Sequence, residues 1–155
     1  MKSLELKITK LSKEVRPFLE DILKRTPDFN EKDRKTCLYV FDGIERGEYE
    51  GIGIFENGRL LGFILFSENF LADSVMELLW IVVDPEFYGQ GIAEILFEEF
   101  LTEAFKRKIR MIVLETQEKH KRARRFYEKM GFKKEGEIKD FYRIGESKEI
   151  WVKRF

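Results

Sequence analysis

The stretch from Val83 to Phe100, "VDPEFYGQGIAEILFEEF", leaves an apolar run, crosses two closely spaced glycines and enters a helical pattern with hardly a residue of loop to spare. Before it, "MELLWIVV" (Met76–Val83) is almost continuously apolar, as expected of a strand buried on both faces. After the glycines, Ile92, Ile95, Leu96, Phe100 and Ala104 follow helical spacing, and "RMIVLET" (Arg110–Thr116) predicts a further buried strand. Strand, helix and strand in this order predict a βαβ unit with two parallel strands. Such a turn leaves several backbone N–H groups unpaired at the positive end of the helix dipole, a ready anion site. Gly89 and Gly91 would let a phosphate approach that backbone closely. A tight connection whose glycines serve only steric needs reads as well at this point. No Lys-Ser or Lys-Thr pair follows the glycines, which excludes a Walker P-loop, and "GQGIAE" lacks the third glycine of a dinucleotide fingerprint.

Outward from this centre, "SLELKIT" alternates Leu4, Leu6 and Ile8 with polar residues and predicts a half-buried strand. "RPFLEDILKR" predicts a helix with Pro17 in its first turn and Phe18, Leu19, Ile22 and Leu23 on one face, ended by Thr26-Pro27. "NEKDRKTCLYVFDGIERG" offers Asn30 as a cap, acids in the first turn, and Leu38, Phe41 and Ile44 at helical spacing up to Gly47. "GIGIFENGRLLGFILF" is two β runs joined by Asn57-Gly58, a strong hairpin signal. "KRARRFYEKMG" reads as a short helix ended by Gly131, and "FKKEGEIKDFY" with "KEIWVKRF" predicts a closing antiparallel pair around "RIGES". The sum is one α/β (α+β) domain over residues 1–155. It has a mixed, mostly antiparallel central sheet, flanking helices and a single parallel βαβ junction.

The composition excludes several classes. A formal net charge of zero gives no bulk attraction to nucleic acid or to an anionic membrane, so any basic site is local. The basic run "KHKRARR" (Lys119–Arg125) reads as a solvated helix face or as a contact for phosphates, with too little aromatic interleaving for nucleic-acid binding. One cysteine, Cys37, and one histidine, His120, make neither a disulfide nor a metal cluster nor a Cys-His nucleophile, and Cys37 falls at an apolar helical position. "MKSLELKITKLSKEV" lacks the apolar core of a signal peptide and no run approaches a bilayer span, so a cytoplasmic protein with no membrane association is expected. Charge carried mostly by Lys, Glu and Arg, with few Asn and Gln, is the balance of proteins from hot environments. Exposed edge strands leave a homodimer open.

Two of these segments together resemble the GNAT family of N-acetyltransferases. "VVDPEFYGQGIAEIL" (Val82–Leu96) is similar to that family's acetyl-CoA signature, in which a Gln/Arg-x-x-Gly-x-Gly/Ala turn and the following helix hold the pyrophosphate. Aligned on Gly91 and Ala93, Tyr88 stands where the family usually has Gln or Arg, which leaves the backbone from Gly89 to Ala93 as the cradle. "LETQEKHKRARRFYEKMGF" (Leu114–Phe132) resembles the family's "LEV…N…A…FYEKLGF" segment, with His120 at the usual Asn position. The twelve residues from Glu115 to Tyr127 match the spacing between proposed base and acid in N-terminal acetyltransferases of ribosomal proteins.

The resemblance implies acetyl-CoA as cosubstrate, no metal, and direct acetyl transfer to a primary amine of a small molecule or peptide. It implies cofactor contacts at Ile81, Val82, Val83, Tyr88, Gly89, Gln90, Gly91, Ile92, Ala93, Glu94, His120, Ala123, Phe126 and Tyr127. Tyr127 would assist the leaving thiolate. Glu115, near the end of a central strand, is the first candidate base, and Glu77, opening the preceding strand, is the second. A backbone N–H freed by a bulge around Ile81 to Val83 would serve the oxyanion. Trp80 and Tyr142 are candidate acceptor-pocket aromatics, and His120 either contacts the cofactor or caps its helix. The alternative from another class is an acyl-CoA-binding sensor or interaction module that keeps the cradle without turnover.

Overall fold

Described over residues 5–155, the computed structural model runs β1 (Leu6–Lys10), α1 (Arg16–Arg25), α2 (Glu31–Asp42), β2 (Glu50–Glu56), β3 (Arg59–Glu68), β4 (Val75–Val83), α3 (Ile92–Lys106), β5 (Met111–Gln117), α4 (Lys121–Lys129), β6 (Lys133–Arg143) and β7 (Glu146–Arg154). Leu4 of the expected first strand lies outside the described residues. Strands hydrogen-bond in the order β1-β2-β3-β4-β5-β7-β6, mixed and mostly antiparallel, with β4 and β5 parallel as the βαβ reading requires. The chain divides into two compact units, one reaching to Ser67 and including Trp80–Glu103, the other made of Glu68–Leu79 and Ala104–Phe155.

In the first unit, β1 pairs antiparallel with β2 and β2 with β3. The hairpin turns on Asn57 and Gly58, both at positive φ (48° and 79°), the pair of left-handed residues that a two-residue type I′ turn demands. Pro17 sits in the first turn of α1, whose N–H groups need no partner there, and Leu19, Ile22 and Leu23 form its buried face. Asn30 caps α2 through a reciprocal box: its side chain accepts from the Asp33 N–H at 2.8 Å, and Asp33 accepts from the Asn30 N–H at 3.0 Å. The expected extension of α2 to Gly47 ends earlier, at Asp42. Gly43 follows as the C-cap, where a Cβ would fall 2.3 Å from the Tyr49 ring, so Tyr49 packs against the bare backbone at the helix end.

β3 is buried from Leu60 to Phe66, and α3 packs on it through the Phe66–Phe100 ring contact at 5.0 Å. Gly62 makes that close packing feasible. A Cβ there would lie 2.9 Å from the Val82 carbonyl oxygen and 3.2 Å from Ile92 and Leu96, so only glycine lets the end of β4 and the start of α3 come so near.

In the second unit, the parallel ladder pairs Val75–Leu78 with Met111–Leu114, while β5 goes on pairing antiparallel with β7 as far as Gln117. β4 continues past the last of these pairs to Val83. Its apolar run is less buried than the sequence implies: Val75, Met76, Leu78 and Val82 are buried, but Leu79, Trp80, Ile81 and Val83 are only partly so. β7 places Glu149, Trp151 and Lys153 on one face by strand alternation. α4 lies over that face, held at 2.7 Å by Arg124 Nε to Glu149 and at 2.9 Å by Lys153 Nζ donating to the Met130 carbonyl at its end. Gly131, at φ +90°, terminates α4 as expected.

Candidate active site

The first unit carries the glycine turn. β4 delivers the chain to Asp84, a short 3-10 turn spans Pro85–Phe87, and Gly89 (φ +79°) and Gly91 (φ +76°) both take the left-handed conformation before α3 begins at Ile92. The first intrahelical bond runs from the Ile95 N–H to the Gly91 carbonyl at 3.1 Å. The N–H groups of Ile92 and Ala93, at the first positions of the helix, precede that bond. A Cβ on Gly89 or Gly91 would meet no heavy atom within 4 Å, so the approach to this backbone is open. Left-handed glycines, an open approach and helix-start donors fit a diphosphate such as that of CoA. The fit is through backbone: Tyr88 is half-buried, and the Glu94 side chain has the same sign as a phosphate.

Asp84 anchors this turn. Its carboxylate, 1% exposed, receives the Arg25 guanidinium as a fork at 2.7 and 2.8 Å, Arg59 Nη2 at 3.1 Å and the Glu86 N–H at 3.0 Å. The Asp84 N–H donates to the Leu61 carbonyl at 2.8 Å. Hydrogen bonds from Arg25 above all hold the carboxyl at about 2, below its ordinary 3.8. Arg59 also reaches Glu86 at 2.7 Å and lies over the Phe87 ring at 5.0 Å. Trp80, in the same unit, is half-buried and meets Phe29 of the α1–α2 connection edge to face, with ring centroids 5.5 Å apart.

The second unit brings together the α4 residues. Tyr127 is buried between Phe126 (5.9 Å) and Phe132 (5.8 Å), and burial pushes its phenol above the ordinary tyrosine value. Among the described residues none hydrogen-bonds to its oxygen. Ala123 and Phe126 are half-buried on the same helix. His120 stands at the N-cap position, but its side chain makes no cap hydrogen bond, so the capping reading falls. The residue is half-buried.

Glu115 is half-exposed and joined to Lys148 Nζ at 2.8 Å. It pairs with Ile150 across the β5–β7 ladder, while its neighbour Thr116 pairs with Glu149. Glu115 therefore lies on the sheet face opposite the one covered by α4. Glu77, paired with Val113, shares that far face, and its Oε1 accepts from Asn69 Nδ2 at 3.0 Å. Tyr142, on β6, stacks edge to face with Phe141 at 5.0 Å, and Phe141 in turn lies 4.2 Å below Lys148 Nζ. Asp84, Arg25 and Lys148 escape sequence reasoning. The one available signal was an isolated acid between an apolar strand and a proline, and its arginine partners lie 59 and 25 residues away. No group of three or more His, Cys, Asp or Glu side chains among the described residues is placed to hold a metal ion.

This arrangement is that of an acetyltransferase fold, and comparison with known proteins agrees. Residues 15–132 match the acetyltransferase (GNAT) family, and the chain belongs to that family. An uncharacterized N-acetyltransferase of Methanocaldococcus jannaschii is 29% identical over 135 residues, covering 82% of this chain; the chain spans 60% of the length of that curated relative. Among solved structures, a protein assigned to the GNAT family from Desulfovibrio desulfuricans superposes with a TM-score of 0.89 at 22% identity, over 96% of this chain and 98% of the other. The ribosomal-protein-S18-alanine N-acetyltransferase of Escherichia coli gives 0.80 at 23% identity, over 96% and 93%. The PaiA N-acetyltransferase of Thermoplasma acidophilum, in complex with coenzyme A, gives 0.75 at 21% identity, over 98% and 100%. These likenesses concern the fold.

Proposed function

We propose that the protein transfers an acetyl group from acetyl-CoA directly to a primary amine. The observation that carries the reading is the pair of left-handed glycines with open backbone donors at the start of α3, in a chain of this family. Acetyl-CoA, when bound, supplies an activated thioester. In the first unit, the N–H groups from Gly89 to Ala93 bind its diphosphate, with Gln90 and Glu94 beside them, and Ile81 to Val83 extend along its arm. In the second unit, His120, Ala123, Phe126 and Tyr127 are assigned to contact with the cosubstrate. A backbone N–H freed by a bulge around Ile81 to Val83 polarises the acetyl carbonyl.

Tyr127 donates a hydrogen bond to the developing thiolate. A thiol near pKa 8.5 is already about 2 kcal/mol too acidic to take a proton from an ordinary tyrosine, and burial widens that gap. Hydrogen bonding without full proton transfer is therefore its role. Glu115 receives the amine proton from the opposite face of β5, with Glu77 one rung away as the second carboxylate, and Trp80 and Tyr142 contact the acceptor. Carboxylate and phenol on opposite faces suit a reaction in which the amine arrives on one side and the thiolate departs on the other.

The acceptor class follows from the strength of that base. A lysine-like amine costs roughly 4–5 kcal/mol to deprotonate at pH 7, whereas an α-amino group costs about 1 kcal/mol. A Glu115 that shares its charge with Lys148 is modest machinery, which favours N-terminal or other low-pKa amines. A cytoplasmic setting accords with the lone buried thiol of Cys37, and a second copy would pair at the edge strands β1 or β6.

The test is to incubate the protein with acetyl-CoA and a panel of amines and peptides while measuring free thiol. Thiol release that depends on an amine supports the enzyme. Tight CoA binding with no release across the panel identifies a binding module instead.

A further inference from the structure

The buried carboxylate of Asp84 is supplied with more donors than a strand end needs. Arg25 closes α1 and delivers two parallel N–H bonds to it, Arg59 at the start of β3 adds a third, and the Glu86 backbone adds a fourth. Arg25 is itself held by Asp21 Oδ2 at 2.9 and 3.1 Å, so the fork is fixed before it meets Asp84. From Asp84 the chain has only the short 3-10 turn, closed by the Phe87 N–H to the Asp84 carbonyl at 2.8 Å, before Tyr88 and Gly89. The direction in which the glycine turn leaves the sheet is thus set at Asp84. A turn of glycines has the most conformational freedom to lose on binding a ligand, so fixing its root lowers the cost of ordering it.

We propose that Asp84 and Arg25 are positioning residues that preorganise the glycine turn for the diphosphate of CoA. The inference rests on the acetyl-CoA reading of that turn. The clamp also binds the turn to the C-terminal end of α1, next to the connection that carries Phe29 against Trp80.

Calorimetric titration with CoA itself, at a temperature where every variant is folded by circular dichroism, tests this. Asp84→Asn and Arg25→Gln should each raise the dissociation constant about tenfold or more, and raise the KM for acetyl-CoA in parallel. The kcat at saturating acetyl-CoA should stay within about twofold. Arg25→Lys, which keeps the charge but loses the fork, should fall between. Arg46→Gln, which breaks an exposed pair with Glu48 elsewhere on the surface, should bind CoA as the wild type does. Folded Asp84→Asn and Arg25→Gln proteins that bind CoA within twofold of wild type overturn the inference. If Asp84→Asn does not fold, the two Arg25 variants decide the matter on the same criterion. A wild-type protein that binds no CoA overturns the acetyl-CoA reading and this inference together, whereas wild-type binding with unaffected variants removes the clamp alone.

Discussion

Arg124 on α4 places its Nε 2.7 Å from Oε1 of Glu149 on β7, and Glu149 is only 1% exposed. Lys134 Nζ approaches the other oxygen at 3.1 Å, and Trp151 Nε1 donates to Oε1 at 3.2 Å. Burial opposes ionisation of this carboxyl, but Lys134, Trp151 and Arg124 outweigh it and leave the group below its ordinary range. The pair ties the helix that carries Tyr127 to the sheet beneath it. Glu149→Ala should therefore cost about 2–3 kcal/mol, less than a fully buried pair because Arg124 and Lys134 remain partly exposed and can turn to water. Urea unfolding monitored by Trp fluorescence checks the value; a loss under 0.5 kcal/mol would mean that α4 is held by packing alone.

On acidification Asp84 should be among the last carboxylates to take up a proton. Its folded value, about 2, lies below the ordinary 3.8, so its contribution is present in full above pH 4 and is lost as pH falls from there through 2. The size is on the order of 2 kcal/mol. Unfolding free energies at pH 5, 3 and 2 should decline in the wild type and show a shallower decline in Asp84→Asn. Parallel curves for the two proteins would contradict the assignment.

Tyr127→Phe separates chemistry from stability. No described residue hydrogen-bonds to the phenol oxygen, so removing it leaves no unpaired partner and should change stability by less than about 1 kcal/mol. On the proposed function the same change should lower kcat by roughly ten- to hundredfold, the worth of a lost hydrogen bond to the developing thiolate, with the KM for acetyl-CoA little altered. Thermal melts and steady-state kinetics on one preparation give both numbers. Unchanged kcat would remove Tyr127 from the reaction.

Gly62→Ala tests how the site is assembled. The added methyl would sit 2.9 Å from the Val82 carbonyl oxygen, which cannot move without shifting β4. A loss of about 1–3 kcal/mol is expected, the range for overpacking a filled site, together with weaker CoA binding because the start of α3 must give way. Alanine at Gly58, where the space is open but φ is +79°, should cost about 1 kcal/mol from backbone strain alone and leave CoA binding intact.

Much of the architecture was legible because its signals are local. Asn57-Gly58 demanded a left-handed turn, Asn30 and Asp33 spelled a capping box, and Gly131 ended a helix. Each reflects a backbone preference acting over three or four residues. The end of α2 at Asp42 was not legible, since the apolar spacing runs on through Ile44 while Gly43 already caps the helix against Tyr49. Nor was the uneven burial of β4: composition records that "LWIVV" is apolar but not where its pairing with β5 stops.

For the site, the sequence alone determined the glycine turn, its placement before a helix, and the tyrosine twelve residues beyond Glu115, because left-handed φ and helix-start donors are properties of a few adjacent residues. Only the tertiary structure decided that Asp84 carries two arginines, that Glu115 faces away from α4 and meets Lys148, and that Tyr127 is buried between Phe126 and Phe132. Those facts depend on which side chains distant segments bring within 3 Å. Ion pairing and desolvation are properties of that assembled neighbourhood, and no single segment encodes them.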